Sequence, residues 1–115
     1  MKKEILKTQK REITVYSDIE IPISNASDFL DLLASTNTKT IALDKKYLDN
    51  RFYELSTGLA GEILQKVSNY RRSVIIIGDF TNINKKSLKD FIYESNKTGQ
   101  VVFAKNMEEG ISLLK

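Results

Sequence analysis

At 115 residues the chain is the size of one ordinary domain, long enough to bury a single core and too short for two. Its 41% hydrophobic and 29% charged residues fall in the globular range, and no apolar run approaches the roughly 20 residues that span a bilayer. With no cysteine and no histidine, the composition excludes disulfides, thiolate metal sites, cysteine nucleophiles and the commonest general base at neutral pH.

The net charge of +3 sits at the start, where residues 1–12 carry five basic groups against Glu4 and Glu12. A solvated, frayed end is the expectation there. No basic stripe interleaved with aromatics follows, so nucleic acid is not an expected partner. Met1 to Lys7 lacks the apolar stretch of a secretory signal, and a cytoplasmic address is expected. Ile5-Leu6 and the β-branched run Ile13-Thr14-Val15-Tyr16 flank Gln9-Lys10 and predict an opening hairpin.

Pro22 and Ser24-Asn25 punctuate the chain, and Asn25 or Ser27 can cap a helix burying Phe29, Leu30, Leu32 and Leu33. Thr40 to Leu43 reads as a short strand ending in Asp44. A polar connection through Arg51 leads to the segment Leu55-Ser56-Thr57-Gly58-Leu59-Ala60-Gly61-Glu62, where a helix is predicted to begin at Leu55. Leu59, Ile63 and Val67 recur every four residues, with Leu64 and Tyr70 alongside. The continuous run Val74 to Ile77 predicts a central strand covered on both faces, ending in Gly78-Asp79. Ser87 with Asp90 resembles a capping box for a helix carrying Leu88, Phe91 and Ile92 inward and closing at Gly99, while Tyr93, Glu94, Ser95 and Asn96 are expected on a partner-facing or merely solvated surface. Gln100 to Ala104 is a further buried strand, and Asn106 caps the last helix.

The predicted architecture is a single α/β domain over residues 1–115 with the order ββαβαβαβα and a mainly parallel mixed sheet. In such sheets ligands collect at the carboxyl ends of the strands. Asp44, Asp79, Thr81 and Lys105 are predicted to converge there, although each also has a plain role as a turn cap or solvated charge. At Ser56 and Thr57 a hydroxyl either caps the helix or marks a place for a phosphoryl group at its positive end. Gly58 and Gly61 cost helix stability, roughly 1 kcal/mol each against alanine. Either close packing on the sheet or close approach of a partner offsets that cost.

Leu55 to Gly61 resembles the Asp-Ser-Ser-Gly-Leu-Gly element that opens the second helix of STAS domains, the anti-sigma factor antagonist fold. In that family the second hydroxyl of the motif is phosphorylated, and phosphorylation abolishes partner binding. The resemblance implies a STAS-like fold with Thr57 as acceptor and Ser56, Gly58 and Leu59 as its neighbours; Leu55 and Ala60 depart from the motif. The runs Leu55 to Lys66, Val74 to Phe80 and Lys86 to Asn96 are also similar to the bacterial family called domain of unknown function 4180, which implies a small α/β protein and no activity.

Two functions follow as expectations. The first is a noncatalytic regulatory or protein-binding module, without a cofactor, using Ser56, Thr57, Gly58 and Gly61 as contact or phospho-switch. The second is a small Mg²⁺-dependent phosphate-handling enzyme using Asp44 and Asp79, with Thr57 and Lys105 placing the phosphate. Binding of a small apolar ligand beside the glycines and homodimerisation through an edge strand both stay open.

Overall fold

The computed structural model of the protein describes residues 1–115. Its opening hairpin pairs β1 (Lys2–Lys7) antiparallel with β2 (Glu12–Ser17), from Lys2 opposite Ser17 to Lys7 opposite Glu12. Thr8 closes the turn: its N–H donates to the Arg11 carbonyl (2.9 Å), and its hydroxyl accepts from the Arg11 N–H (3.1 Å). The basic end is thus an ordered strand, although all six of its residues are exposed.

Next come α1 (Ala26–Ala34), β3 (Thr40–Asp44), α2 (Leu59–Asn69), β4 (Ser73–Ile77), α3 (Lys86–Thr98), β5 (Val101–Ala104) and α4 (Met107–Leu113). The sheet order is β1-β2-β3-β4-β5, with every pairing after the first parallel. Because each parallel step runs in the same direction, same-handed crossovers put the intervening helices on one face. That face holds the larger core, in which Tyr16, Ile41, Leu43, Ile76 and Phe103 of the strands meet Phe29 and Leu33 of α1 and Ile63 and Val67 of α2. Phe91 and Ile92 of α3 pack against it half-buried.

The other face is covered by α4 alone, over a smaller cluster of Ile13, Ala42, Ile75, Val102 and Leu114. Gly110 makes that approach possible, since a Cβ there would overlap the Ile75 Cγ2 methyl. Asn25 caps α1 by accepting from the Asp28 N–H (2.7 Å), and Asn106 caps α4 by accepting from the Glu109 N–H (2.8 Å). Gly99 ends α3 at φ +76.

Three expectations about the elements are corrected. The polar connection after β3 is a run of 3₁₀ turns, Lys45–Tyr47, Asn50–Tyr53 and Leu55–Thr57, begun by Asp44 and Asp49, whose carboxylates accept from the Lys46 and Arg51 N–H groups. Ser87 does not cap α3, because the helix already begins at Lys86 and Asp90 is held by the Lys86 ammonium (2.7 Å). Tyr70 lies past the end of the α2 stripe and is 55% exposed.

The two sheet edges differ. Gln100 and Ala104 carbonyls accept from Val74 of β4 and from Gly78 just past its end, so the alternate residues Val101 and Phe103 turn their backbone groups outward. Ser95 donates its hydroxyl to the Val101 carbonyl, and Asn96 binds both the N–H and the carbonyl of Phe103. Side chains of α3 therefore close the β5 edge. Nothing equivalent covers β1.

Candidate functional site

The segment from Leu55 to Gly61 holds the first group of predicted site residues. The helix does not begin at Leu55: Leu55–Thr57 form a 3₁₀ turn, Gly58 stands at φ +80, and α2 starts at Leu59. Left-handed backbone there is open to glycine at no steric cost, so Gly58 is a hinge between two helical turns rather than a weak point inside one. The Thr57 hydroxyl holds the hinge. It lies 2.6 Å from the Arg51 carbonyl and 2.8 Å from the Glu54 carbonyl, which share its proton, and it accepts from the Leu59 N–H at 3.3 Å.

Ser56, Thr57, Gly58 and Gly61 are all exposed. A Cβ built at Gly58 or at Gly61 would meet nothing within 4 Å, which removes close packing on the sheet as the reason for either glycine. The inner face of α2 is supplied by its neighbours Leu59, Ala60, Ile63 and Val67.

The polar residues at the carboxyl ends of the strands are only partly brought together. The Asp79 carboxylate accepts from the Thr81 hydroxyl (2.6 Å) and N–H (2.9 Å). These bonds, with a smaller contribution from the Lys45 charge, hold its carboxyl below the ordinary aspartate value. Asp44 is spent on the turn that follows it. Lys105 is exposed, with its backbone N–H donating to Glu109. No group of three or more acidic side chains is gathered closely enough to hold a metal ion. Asp44 and Asp79 each organise the loop that follows its strand.

A feature missed in the sequence joins the two strand ends. The Lys45 ammonium donates to the Asp79 carbonyl (2.6 Å) and stands 5.4 Å from the centre of the Phe80 ring. Gly78 makes the crossing possible, because a Cβ there would lie 2.5 Å from Lys45 Cδ. Phe80 in turn packs edge-on against Phe103 (5.4 Å between ring centres). Beside this cation lies a groove of about 450 Å³ with a wall of Leu48, Phe80, Ile83 and Leu88. Tyr53 lines it too, donating its hydroxyl to the Lys45 carbonyl (3.0 Å). Burial chiefly, and the nearby Asp44 charge secondarily, push the Tyr53 hydroxyl far above its ordinary range, so it remains a donor. The signal in the sequence was a glycine ending a buried strand immediately before an acid and an aromatic.

The expected outer surface of α3 is half right. Tyr93 and Glu94 are exposed, whereas Ser95 is buried and Asn96 half-buried, both bound to the backbone of β5. Their reach to a sheet edge overrides the polarity that marked them as surface.

No helix of the chain is long and apolar enough to cross a membrane. No curated protein and no solved structure matches the chain. A family model described as domain of unknown function (DUF4180) matches residues 8–114, from the hairpin turn through α4, and the chain belongs to that family.

Proposed function

We propose that the chain is a noncatalytic regulatory module that binds a protein partner through the start of α2, with Thr57 as its switch. The observation that carries this reading is the open space at Gly61, which is exposed and where a Cβ would meet nothing within 4 Å, whereas Gly58 is already required by its φ of +80. A glycine inside a helix costs roughly 1 kcal/mol against alanine, and nothing inside this molecule requires one at position 61. Close approach of another backbone does. The resemblance of Leu55 to Gly61 to the STAS element supports the same surface.

The switch follows from the Thr57 bonds. A phosphate on its oxygen removes the proton shared by the Arg51 and Glu54 carbonyls and sets nearly two negative charges beside them. The hinge between the 3₁₀ turn and α2 then loses its side-chain fastening and keeps only the backbone bonds of Thr57 and Gly58. Capture from a lysate of the source organism with immobilised wild type, Gly61→Glu and Thr57→Glu tests the reading. One defined protein retained by wild type and lost with both variants, each folded by its amide spectrum, is the expected result. An identical set of proteins on all three overturns it.

The groove over Phe80 supports a second reading, binding of a small amphipathic ligand, because Lys45 is already held there beside an apolar wall.

A further inference from the structure

We infer that β1 is an acceptor edge for an extended acidic segment of another protein, which adds a sixth strand to the sheet. This surface is separate from the start of α2. At β5, the Val101 carbonyl is occupied by Ser95 and both outward backbone groups of Phe103 by Asn96, so α3 blocks a strand from adding there. At β1 the outer backbone is free over six residues.

Exposed edges are ordinarily protected by shortness, proline, a bulge, a covering element or charged side chains, lysine above all. Of these the β1 edge has only its lysines, which repel a like-charged strand and not an acidic one; its register runs unbroken from Lys2 to Lys7, and its sequence contains no proline. It also exposes two large apolar side chains in succession, Ile5 at 58% and Leu6 at 40%. Charge decides the occupant. Three of the six residues are lysines and one is Glu4. Lys2 and Lys7 stand 3.6 Å and 3.7 Å from Asp18 and Glu12 in exposed pairs that contribute little, and Lys3 has no carboxylate partner. A second copy therefore brings lysines to the seam, whereas an acidic strand supplies their counter-charge.

The pairing with β2 fixes which side chains share a face. Lys3 lies opposite Tyr16, Ile5 opposite Thr14 and Lys7 opposite Glu12, all on the face of the larger core. The incoming strand therefore carries an acid, an apolar residue and an acid at alternate positions on that face, with main-chain bonds giving affinity and these three side chains giving selectivity. Lys3 is already steadied by donating to the Ser35 carbonyl (3.1 Å) at the end of α1.

The test uses the full chain labelled with ¹⁵N and two capped peptides, Thr-Glu-Thr-Ile-Thr-Glu-Thr and Thr-Lys-Thr-Ile-Thr-Lys-Thr, each symmetric in its faces so that either strand direction is served. The acidic peptide is expected to move the β1 amides and slow their exchange with solvent, and to bind about tenfold or more tightly than the lysine peptide at low salt. The variant Lys3→Glu/Lys7→Glu/Glu12→Lys keeps the 7–12 cross-strand pair with its signs exchanged, and is expected to reverse the preference. Undisturbed β1 amides, equal binding of both peptides, an unreversed preference in a variant whose other amides match wild type, or β1-mediated dimerisation in sedimentation overturns the inference.

Discussion

Asn96 of α3 holds the outward backbone of Phe103 as a neighbouring strand would, its amide donating to the Phe103 carbonyl (3.1 Å) and its oxygen accepting from the Phe103 N–H (2.7 Å). Two backbone groups that a sheet edge leaves to water are thus satisfied by one side chain. Asn96→Ala strips both at a half-buried position and is expected to cost about 1–3 kcal/mol, the range for unpaired buried polar groups. Urea unfolding followed by circular dichroism measures it. A cost indistinguishable from zero would mean that water replaces the amide freely and that α3 does not guard the edge.

Two glycines in helices are expected to respond with opposite signs. Gly61 has open space around it, so Gly61→Ala stabilises the fold by about 0.5–1 kcal/mol through helix propensity alone. Gly110 faces the Ile75 Cγ2 methyl, so Gly110→Ala forces α4 off the sheet and costs about 1–3 kcal/mol. Thermal melts of the two variants beside wild type separate them. A destabilising Gly61→Ala would reveal an internal role for that glycine and weaken the case for a contact surface.

Much of this fold was legible because periodicity survives burial. The β-branched run at Val74 to Ile77 has the composition expected of a covered strand, and Asn25, offered alongside Ser27, and Asn106 marked their helices by the side-chain oxygen that each cap needs. The start of α2 was misplaced by one turn because its position depends on a positive φ at Gly58 and on a Thr57 bond to Arg51, neither of which has a period. The role of Ser95 was half visible. Leu88, Phe91, Ile92 and Ser95 follow the helical spacing of one face, yet the polarity of serine argued for solvent until β5 lay beside it. Lys45 and Phe80 belong to different loops, and only the sheet brings them together.

Asp79 gives a pH prediction. Its folded carboxyl lies below the ordinary value of 3.8 because Thr81 donates to it twice. A depressed folded pKa means that the unfolded chain binds more protons in that window. The stabilisation is present above about pH 4 and is lost as pH falls through the folded value. Thr81→Val deletes the hydroxyl donor and leaves the N–H. A carbon-detected titration is expected to show the Asp79 carboxyl moving up toward 3.8 in that variant. An unmoved titration would assign the effect to the N–H and Lys45.

Gly78 and Lys45 are expected to couple. Alanine at position 78 would press on Lys45 Cδ and Cγ, and the flexible lysine yields more cheaply than the β4 backbone. Gly78→Ala therefore swings Lys45 away, breaking its bond to the Asp79 carbonyl and lifting its charge off Phe80. The cation–π contribution at such a site is about 0.5–1 kcal/mol, with the lost hydrogen bond adding a similar amount. In a Lys45→Ala background those interactions are already gone and only the Cβ at position 45 remains, 3.1 Å from the new methyl, so the same glycine change is expected to cost less than in wild type. A double-mutant cycle in urea with Gly78→Ala, Lys45→Ala and both reads the coupling directly. Additive costs would show that Gly78 serves the strand end by itself and that the cation over Phe80 is not positioned by it.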